Sequence, residues 1–391
     1  MLRLEARPVP SRRMAIVSPI LALAITVVIG AGLFLLLGKD PVRGLAVFFV
    51  EPVRSAYALS ELSIKATPLL LIALGLSVGF RANVWNIGAE GQFLLGAIAA
   101  GGVAMTAGPD TSRWILVPIL VAGTLGGMLW AAIPAVLRDR ANASEILVSL
   151  MLVYVADMLL SYLVSGPWKD PAGYNFPQTI TFAPATQLPR LVTGYRAHIG
   201  VWFALIAGVL SWLVLFRSYA GFQLQVGGLA PAAARYAGFS ERKALWIAML
   251  GSGGMAGLAG GFEAAGPLGQ LTPQVSSGYG FAAIIVAFVG RLHPVGAMLS
   301  AILMSMFYIG GELAQSRLGV PRSLTGLFQG LLLFALLACD TLIAQTIRWR
   351  RAPAGGARGA GSARGADGTD GTGGARGAGG AGGAGGAGGA G

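Results

Sequence analysis

Residues 14–37, MAIVSPILALAITVVIGAGLFLLL, form a run of 24 residues without a charged side chain. As a helix that rises about 1.5 Å per residue, this run exceeds the roughly 30 Å hydrocarbon core of a bilayer. Four arginines precede it, which is also typical of a signal peptide, but the run is too long for one and no small-residue cleavage site follows. We therefore expect an uncleaved membrane-spanning helix.

The rest of the chain has the same apolar character. Hydrophobic residues make up 55% of the 391 residues and charged residues 11%, with a mean hydropathy of +0.70, so too few polar side chains exist to coat a soluble protein. Further apolar runs lie at about residues 62–80, 88–107, 114–137, 144–165, 198–216, 244–265, 280–290, 294–310 and 323–342. The sequence predicts an all-α, polytopic membrane protein of about ten transmembrane helices, in which 280–290 is too short to span alone.

The basic residues predict the orientation of these helices. An even number of spans returns both termini to one side, and 18 of the 28 Lys and Arg residues then share the side of the termini, with 10 opposite. Because the cytoplasmic side of membrane proteins carries the basic excess, we expect both termini in the cytoplasm and the chain in the plasma membrane. The net charge of +12 is then explained by membrane topology and by contact with lipid headgroups. The basic residues are scattered over many loops, which disfavours nucleic-acid binding.

Composition also predicts the domain organisation. Residues 1–13 are expected to form a cytoplasmic N-terminus and residues 14–350 the membrane domain. Residues 351–391 are almost entirely Gly and Ala with scattered Arg, and end in GGAGGAGGAGGAG. Such a segment has little apolar area to offset its conformational entropy, so a disordered cytoplasmic tail is expected.

Enzyme motifs are either absent or out of context. GLSVG at 75–79 matches a nucleophile-elbow pattern but lies inside an apolar helix, and the Gly-rich run at 251–256 belongs to a ladder of Gly253, Gly257 and Gly261 that indicates close helix packing. The sequence has no Walker A motif, zinc-protease motif or cysteine pair. We expect no catalysis, no cofactor and no metal site in this chain.

A polar interruption, NVWNIGAEGQ at 83–92, separates the second and third predicted spans. Helix capping by Asn86 and a favourable position of Glu90 near a helix N-terminus explain single residues. Polar groups near membrane depth are tolerated mainly where they face protein or water, so a broken helix beside a translocation pathway explains the whole set better. The candidate pathway residues are Asn83, Trp85, Asn86, Glu90 and Gln92.

A second interruption, GPLGQLTPQVSSGYG at 266–280, occurs in the other half of the chain. Each half then has a span, a Gly-rich polar break and further spans, and the two run in opposite directions, which predicts two inverted-topology halves with broken helices. Asp157 adds a carboxylate within a predicted span. Such a residue is a functional candidate by default, although an interhelical hydrogen bond is an equally good explanation.

The cytoplasmic loop 217–243 contains the sequence APAAARYAGFS, which predicts a short helix bounded by Gly228 and Gly238. A short helix on the membrane face is suited to docking into a soluble partner. A solvated linker is the alternative.

These motifs together carry a family resemblance. NVWNIGAEGQ, ASEILVSLMLVY, GPWKDPAGYNFPQT, PAAARYAGFS, GYGFAAIIVAFVGRLHPVGAM and GVPRSLTGLFQGLLLF, spread over residues 60–342, resemble the permease subunit of bacterial ABC importers of the branched-chain amino acid and simple-sugar superfamily, nearest to its nucleoside-type branch. The resemblance implies a second permease, identical or a sister chain, together with cytoplasmic ATPase subunits and an extracytoplasmic substrate-binding lipoprotein. It also implies that 232–239 is the coupling helix that enters the ATPase, with Ala232, Ala233, Arg235, Tyr236 and Gly238 as its contact residues.

The likeness is incomplete. Where family members usually read LNY, this chain has Leu152, Val153 and Tyr154, and where they usually have Asn it has Leu229 or Ala230. We expect the pathway to pass nucleosides, with the rings of Trp85, Tyr154 and Tyr279 facing the base or sugar and the amides of the first interruption binding its hydroxyl groups.

Three classes of function remain from the sequence. An ATP-driven importer of nucleosides is the leading hypothesis, and the same importer class for a simple sugar such as ribose is close to it. An ion-coupled secondary carrier also fits Asp157 and the inverted halves. A membrane enzyme is disfavoured by the absence of a nucleophile, base or metal constellation.

Overall fold

In the computed structural model, residues 2–6, 12–108 and 110–349 are described. The described chain is mainly helical. Eight helices are long and apolar enough to cross a membrane, and two shorter apolar helices, Ala89–Ala104 and Tyr279–Val289, match the predicted runs at 88–107 and 280–290. The all-α polytopic fold predicted from the sequence is therefore confirmed, with a second short helix where a full span was expected.

The helices follow one another in this order: α1 Arg12–Leu36, α2 Pro41–Leu45, α3 Ala56–Arg81, α4 Ala89–Ala104, α5 Leu116–Ala141, α6 Glu145–Ser165, α7 Gly200–Arg217, α8 Tyr219–Leu229, α9 Pro231–Tyr236, α10 Glu241–Glu263, α11 Tyr279–Val289, α12 Pro294–Leu318 and α13 Ser323–Ala344. Short 3-10 or π turns occupy Ala46–Val50, Glu51–Val53, Arg113–Ile115, Pro184–Thr186 and Ala264–Leu268.

Local sequence sets several of the helix ends. Ser55, Ser144, Ser218 and Ser240 each accept a hydrogen bond from the backbone amide three residues later, at the starts of α3, α6, α8 and α10. Replacement of such a cap by Ala typically costs about 1 kcal/mol. α12 ends at Gly319 in the left-handed conformation, with φ of 66°, which glycine adopts without strain.

Burial separates inner helices from outer ones. Of the 18 most apolar consecutive residues in the span Ala56–Arg81, 83% are buried. The corresponding fraction is 22% in Arg113–Ala141 and in Glu145–Ser165. Apolar residues that face outward from a membrane helix contact lipid or another chain. The fold is therefore built around α3 and α10, while α1, α5, α6, α7 and α13 form the outer layer.

The predicted glycine ladder lies at the closest helix crossing. A Cβ atom built on Gly257 of α10 would lie 2.3 Å from the carbonyl oxygen of Gly123 in α5, and one built on Gly96 of α4 would lie 2.3 Å from Cα of Gly257. Gly253 similarly approaches Gly127. Small residues let backbones approach closely where no hydrophobic force drives helices together in lipid, so the packing interpretation of the ladder is confirmed.

The two halves repeat one arrangement of helices. In the first half, the long helix α3 is followed by an interruption at 82–88 (break 1), the short α4 and the long α5. In the second half, the long α10 and its π turn are followed by an interruption at 269–278 (break 2), the short α11 and the long α12. The pattern of broken helices predicted from the sequence is thus present in both halves.

Near the chain ends, β1, Leu2–Ala6, pairs with β2, Gln345–Trp349. The alternation of Leu2, Arg3, Leu4 and Glu5 has the two-residue period of a strand, although no strand was predicted there. The predicted disordered tail, 351–391, lies outside the described residues.

Candidate functional site

Break 1 is held in place by its aromatic and amide side chains. Asn83 adopts a left-handed conformation with φ of 56°, which Asn tolerates better than most residues, and its Oδ1 accepts a hydrogen bond from Nε1 of Trp85 at 3.0 Å. The ring of Trp85 lies 5.1 Å from that of Phe80 and 6.0 Å from that of Phe288. Its backbone amide points to Oε1 of Glu145 at 3.4 Å. Break 1 is thus fixed to α6 and α11.

Asn86 and Gln92 form a closed pair inside the protein. Nδ2 of Asn86 donates to Oε1 of Gln92 at 2.7 Å and to Oγ of Ser252 at 2.8 Å, while Nε2 of Gln92 donates to Oδ1 of Asn86 at 2.9 Å. Both amides are 1% exposed. Oδ1 of Asn86 also accepts the Gly88 amide, and α4 begins only at Ala89, so Asn86 closes a turn before the helix rather than occupying the cap position itself.

Glu90 lies where the two short helices meet. Its Oε2 accepts a hydrogen bond from the backbone amide of Gly280 at 2.6 Å, and its side chain is buried. A Cβ atom built on Gly280 would lie 2.2 Å from the backbone nitrogen of Glu90, so the N-termini of α4 and α11 are in direct contact. Each helix N-terminus carries a partial positive charge, and the carboxylate between them stabilises both.

Break 2 brings Tyr279 into a buried cluster. Its ring is 5.7 Å from the ring of Phe93 and 5.5 Å from that of Tyr308, and Nζ of Lys65 lies 5.6 Å from its centroid. Its hydroxyl group is 3.5 Å from Oε1 of Glu263. The Tyr279 side chain is 1% exposed, so it contacts protein rather than an open channel in this conformation.

Tyr154 and Asp157 lie on α6, apart from the two breaks. Tyr154 is 61% exposed, in a row with Met151, Met158 and Tyr162 on the outer face of the helix. Asp157 is partly buried on the same helix. The structure therefore brings Glu90 and Tyr279 together, and leaves Tyr154 on the surface.

The predicted coupling segment forms a short helix on the face near break 1. The helix is α9, Pro231–Tyr236, so it begins one residue before and ends three residues before the predicted segment. Its buried side is Ala234, whereas Ala232, Ala233, Arg235 and Tyr236 are exposed, Tyr236 at 97%. Gly238 follows with φ of 77°, and Arg235 pairs with Glu241 at 3.0 Å.

A cleft of about 280 Å³ connects this segment to break 1. Ala82 and Asn83 line one side of the cleft, and Ala234 and Gly238 line the other. A Cβ atom on Gly228, at the end of α8, would lie 2.1 Å from the carbonyl oxygen of Arg81. The end of α8 therefore packs directly against the end of α3.

Sequence similarity to known proteins identifies its class. Residues 58–337 match the family model of the branched-chain amino acid transport system permease component. The chain belongs to this family. The resemblance found in the sequence is thereby confirmed, and the chain is a permease component.

Individual relatives of this permease come from both sugar and nucleoside systems. It is 34% identical to a glucose ABC transporter permease of Haloferax volcanii, over 87% of this chain and 91% of the relative. It is 31% identical to a guanosine ABC transporter permease of Bacillus subtilis, over 78% and 87% of the two chains. Identity to a nucleoside ABC transporter permease of Lactococcus lactis is 26%, over 81% and 89%. No solved structure gives a significant match.

The structure also adds charged residues to the permease site that the sequence analysis did not single out. Lys65 lies 3.5 Å from Glu312, and Glu263 contacts Tyr279. Lys65 and Glu263 both fall within predicted spans, where a charge is costly unless it faces protein or water. Lys65 and Glu263 are therefore functional candidates for the same reason as Asp157.

Proposed function

We propose that this permease forms, with a second permease chain, the membrane pathway of an ATP-driven importer of nucleosides. The observation that carries the substrate class is the similarity to the guanosine and nucleoside transporter permeases, which extends over 78% and 81% of the chain. ATP hydrolysis belongs to separate cytoplasmic subunits, since no motif for it is present here. An extracytoplasmic lipoprotein delivers the solute.

The geometry supports a gate at the meeting point of the two breaks. Glu90 joins the N-termini of α4 and α11, and Tyr279 packs beside them. Broken helices whose N-termini meet between repeats are typical of substrate pathways in transporters. We infer that Asn83, Trp85, Asn86, Glu90, Gln92 and Tyr279 form the gate, which is closed here because most of these side chains are buried and bonded to one another.

The outer face of α6 supplies the second part of the pathway. Tyr154 and Tyr162 are exposed there, while Asp157, on the same helix, is partly buried. Because tyrosine combines an apolar ring with a polar hydroxyl group, we assign this face to the water-filled space between two permeases. The aromatic rings there are suited to stacking on a nucleobase with low affinity, as release into the cytoplasm requires.

The orientation follows the charge bias. With both termini in the cytoplasm, α9 faces the ATPase, and the segment at 166–199 faces the outside of the cell. We propose that Ala232, Ala233, Arg235, Tyr236 and Gly238 contact the ATPase and transmit its movement to break 1 through Gly228 and Arg81.

Import of a simple sugar is the second candidate, and the glucose transporter permease of Haloferax volcanii, at 34% identity, favours it. Both candidates are tested by reconstituting the permease with its ATPase and binding protein in vesicles. We expect uptake that requires ATP and persists when the proton gradient is dissipated. Uptake that needs the proton gradient and no ATPase would instead support an ion-coupled carrier.

A further inference from the structure

The segment between α6 and α7 carries a projecting aromatic tip, residues 173–177. Tyr174 is 93% exposed and Phe176 65% exposed. Tyr174 and Asn175 both have left-handed backbones, with φ of 49° and 68°, and the turn is closed by bonds from Asp170 N to Gln178 O at 2.8 Å and from Phe176 N to Gly173 O at 2.9 Å. Two consecutive non-glycine residues in this conformation are energetically costly, which points to a functional use of the tip.

We propose that this tip is a docking surface for the substrate-binding protein, and that docking is transmitted from it to break 2. The inference rests on the proposed function, including its orientation. It has two steps. The binding protein contacts the tip, and the resulting displacement is transmitted to break 2 through residues 178–188.

Charge favours a protein partner with an acidic surface. Residues 166–199 contain Lys169, Arg190 and Arg196 against the single acidic residue Asp170, which gives this segment a net charge of +2. Arg196 is already paired with Glu61 at 3.1 Å, so Lys169 and Arg190 are the basic residues that can meet an acidic partner. Complementary charge at a rim steers partners together, while aromatic side chains supply the anchors of an interface.

Shallow clefts beside the tip have room for side chains of such a partner. One, of about 260 Å³, is lined by Met105, Ile180 and Pro184, and another, of about 370 Å³, by Met105, Trp168 and Ile180. They lie side by side because they share Met105 and Ile180. The docking surface thus consists of an aromatic projection next to apolar recesses.

Hydrogen bonds link the same segment to break 2. Thr179 donates its amide to Leu271 O at 3.0 Å, and its Oγ1 accepts the Leu271 amide at 2.9 Å. Phe182 N donates to Gly269 O at 2.8 Å, and Leu188 N to Ala265 O at 2.9 Å. Leu271 is fully buried and precedes Tyr279 by eight residues. We infer that these hydrogen bonds transmit a displacement of the tip to the start of α11, where Gly280 contacts Glu90.

The docking step is tested by measuring binding to the assembled transporter in nanodiscs. The probe is the substrate-binding lipoprotein of the same importer, purified without its lipid anchor. We expect the double variant Tyr174→Ala/Phe176→Ala to raise its Kd about tenfold or more, as loss of exposed aromatic anchors does at interfaces. The control is Val192→Ala, a 54% exposed residue elsewhere in the same segment, which should leave the Kd unchanged.

An unchanged Kd in the double variant would overturn the inference. If the aromatic tip contacts lipid headgroups instead, the double variant will have the wild-type Kd and a lower thermal stability in nanodiscs than in detergent relative to wild type. Failure of the wild-type transporter to bind the lipoprotein would overturn the partner in the proposed function itself. Binding that is strong but insensitive to the tip would overturn only the docking surface.

The transmission step is tested with Thr179→Val, which removes the hydroxyl acceptor and keeps the shape of the side chain. We expect the Kd to stay at its wild-type value while stimulation of ATP hydrolysis by saturating binding protein falls several-fold, and we expect Thr179→Ser to restore the stimulation. Full stimulation in Thr179→Val would overturn the transmission path. A merely structural loss would lower binding and stimulation together.

Discussion

The carboxylate of Glu90, in the first half of the chain, accepts the backbone amide hydrogen of Gly280, in the second half, at 2.6 Å. This bond joins the N-termini of the two short helices, α4 and α11, at a place where the absence of a side chain on Gly280 lets the backbones touch. A single side chain thus fastens both broken helices. Any opening between the breaks must lengthen or exchange this bond.

Removal of the Glu90 carboxylate should weaken the contact between α4 and α11. We expect Glu90→Ala to lower the free energy of unfolding by about 2 kcal/mol, the typical contribution of a hydrogen bond to a charged group, and to reduce transport. Glu90→Gln keeps an oxygen acceptor for the Gly280 amide and should lose less stability. Thermal unfolding in detergent and uptake by reconstituted vesicles are the measurements.

Assembly separates the functional role of Glu90 from a structural one. The gate assignment requires that Glu90→Ala still copurifies with the ATPase subunits in wild-type amounts. Loss of that assembly would mean that Glu90 maintains the fold and has no specific role in the pathway.

The glycine ladder gives a prediction about packing. Gly257→Ala places a methyl group 2.3 Å from the Gly123 carbonyl oxygen, so α10 and α5 must separate, at a cost of about 1–3 kcal/mol. Gly251→Ala is the matched control on the same helix, since nothing lies within 4 Å of its Cβ position, and Ala is the better helix former. We expect a lower Tm for the first variant only. Equal Tm values would disprove the close crossing.

The exposed end of α9 gives a prediction about coupling. Tyr236 is 97% exposed, so Tyr236→Ala should leave the Tm unchanged while it weakens association with the ATPase and lowers ATP-driven uptake. Tyr57→Ala, at a 51% exposed tyrosine near the start of α3, is the control. Normal ATPase association in the Tyr236 variant would contradict the docking assignment.

His198 gives a prediction about pH. It lies just before α7, where Nδ1 accepts the Gly200 amide at 3.1 Å, and burial lowers its pKa to about 4. The unfolded chain binds this proton near pH 6.5 and the folded chain does not, so stability falls as the pH drops from about 6.5 toward 4, by up to about 3 kcal/mol.

Removal of the imidazole should remove this pH dependence. We expect the Tm of wild type to fall more between pH 7.5 and pH 5 than that of His198→Asn, which retains an oxygen acceptor for the Gly200 amide. An equal fall in both proteins would show that His198 does not contribute to it.

The fold was largely predictable because membrane spans and glycine ladders are local patterns. The apolar runs predicted the helices, and the polar residues at 83–92 predicted the first break. The contact between Glu90 and Gly280 was not predictable, since the residues are 190 positions apart and no pattern links them. Lys65 and Glu263 were predictable in the same way as Asp157, because each places a charge within an apolar run.

Smaller errors have local causes. α9 begins at Pro231, whose fixed φ and missing amide suit the first helical position, so the helix starts earlier than the run of alanines indicated. The cap position of α4 moved from Asn86 to Gly88 because the Asn86 side chain pairs with Gln92 and Ser252 instead. Such partners come from other parts of the fold and leave no trace in the local sequence.

The central claim is that this permease carries nucleosides. Its most direct test is uptake of labelled uridine or guanosine by cells with and without the gene, in competition with unlabelled nucleosides, ribose, glucose and branched-chain amino acids. The account predicts gene-dependent uptake that excess nucleoside blocks and the other solutes do not. Uptake blocked by a free sugar would move the permease to the sugar class, and the absence of gene-dependent uptake would contradict the nucleoside assignment.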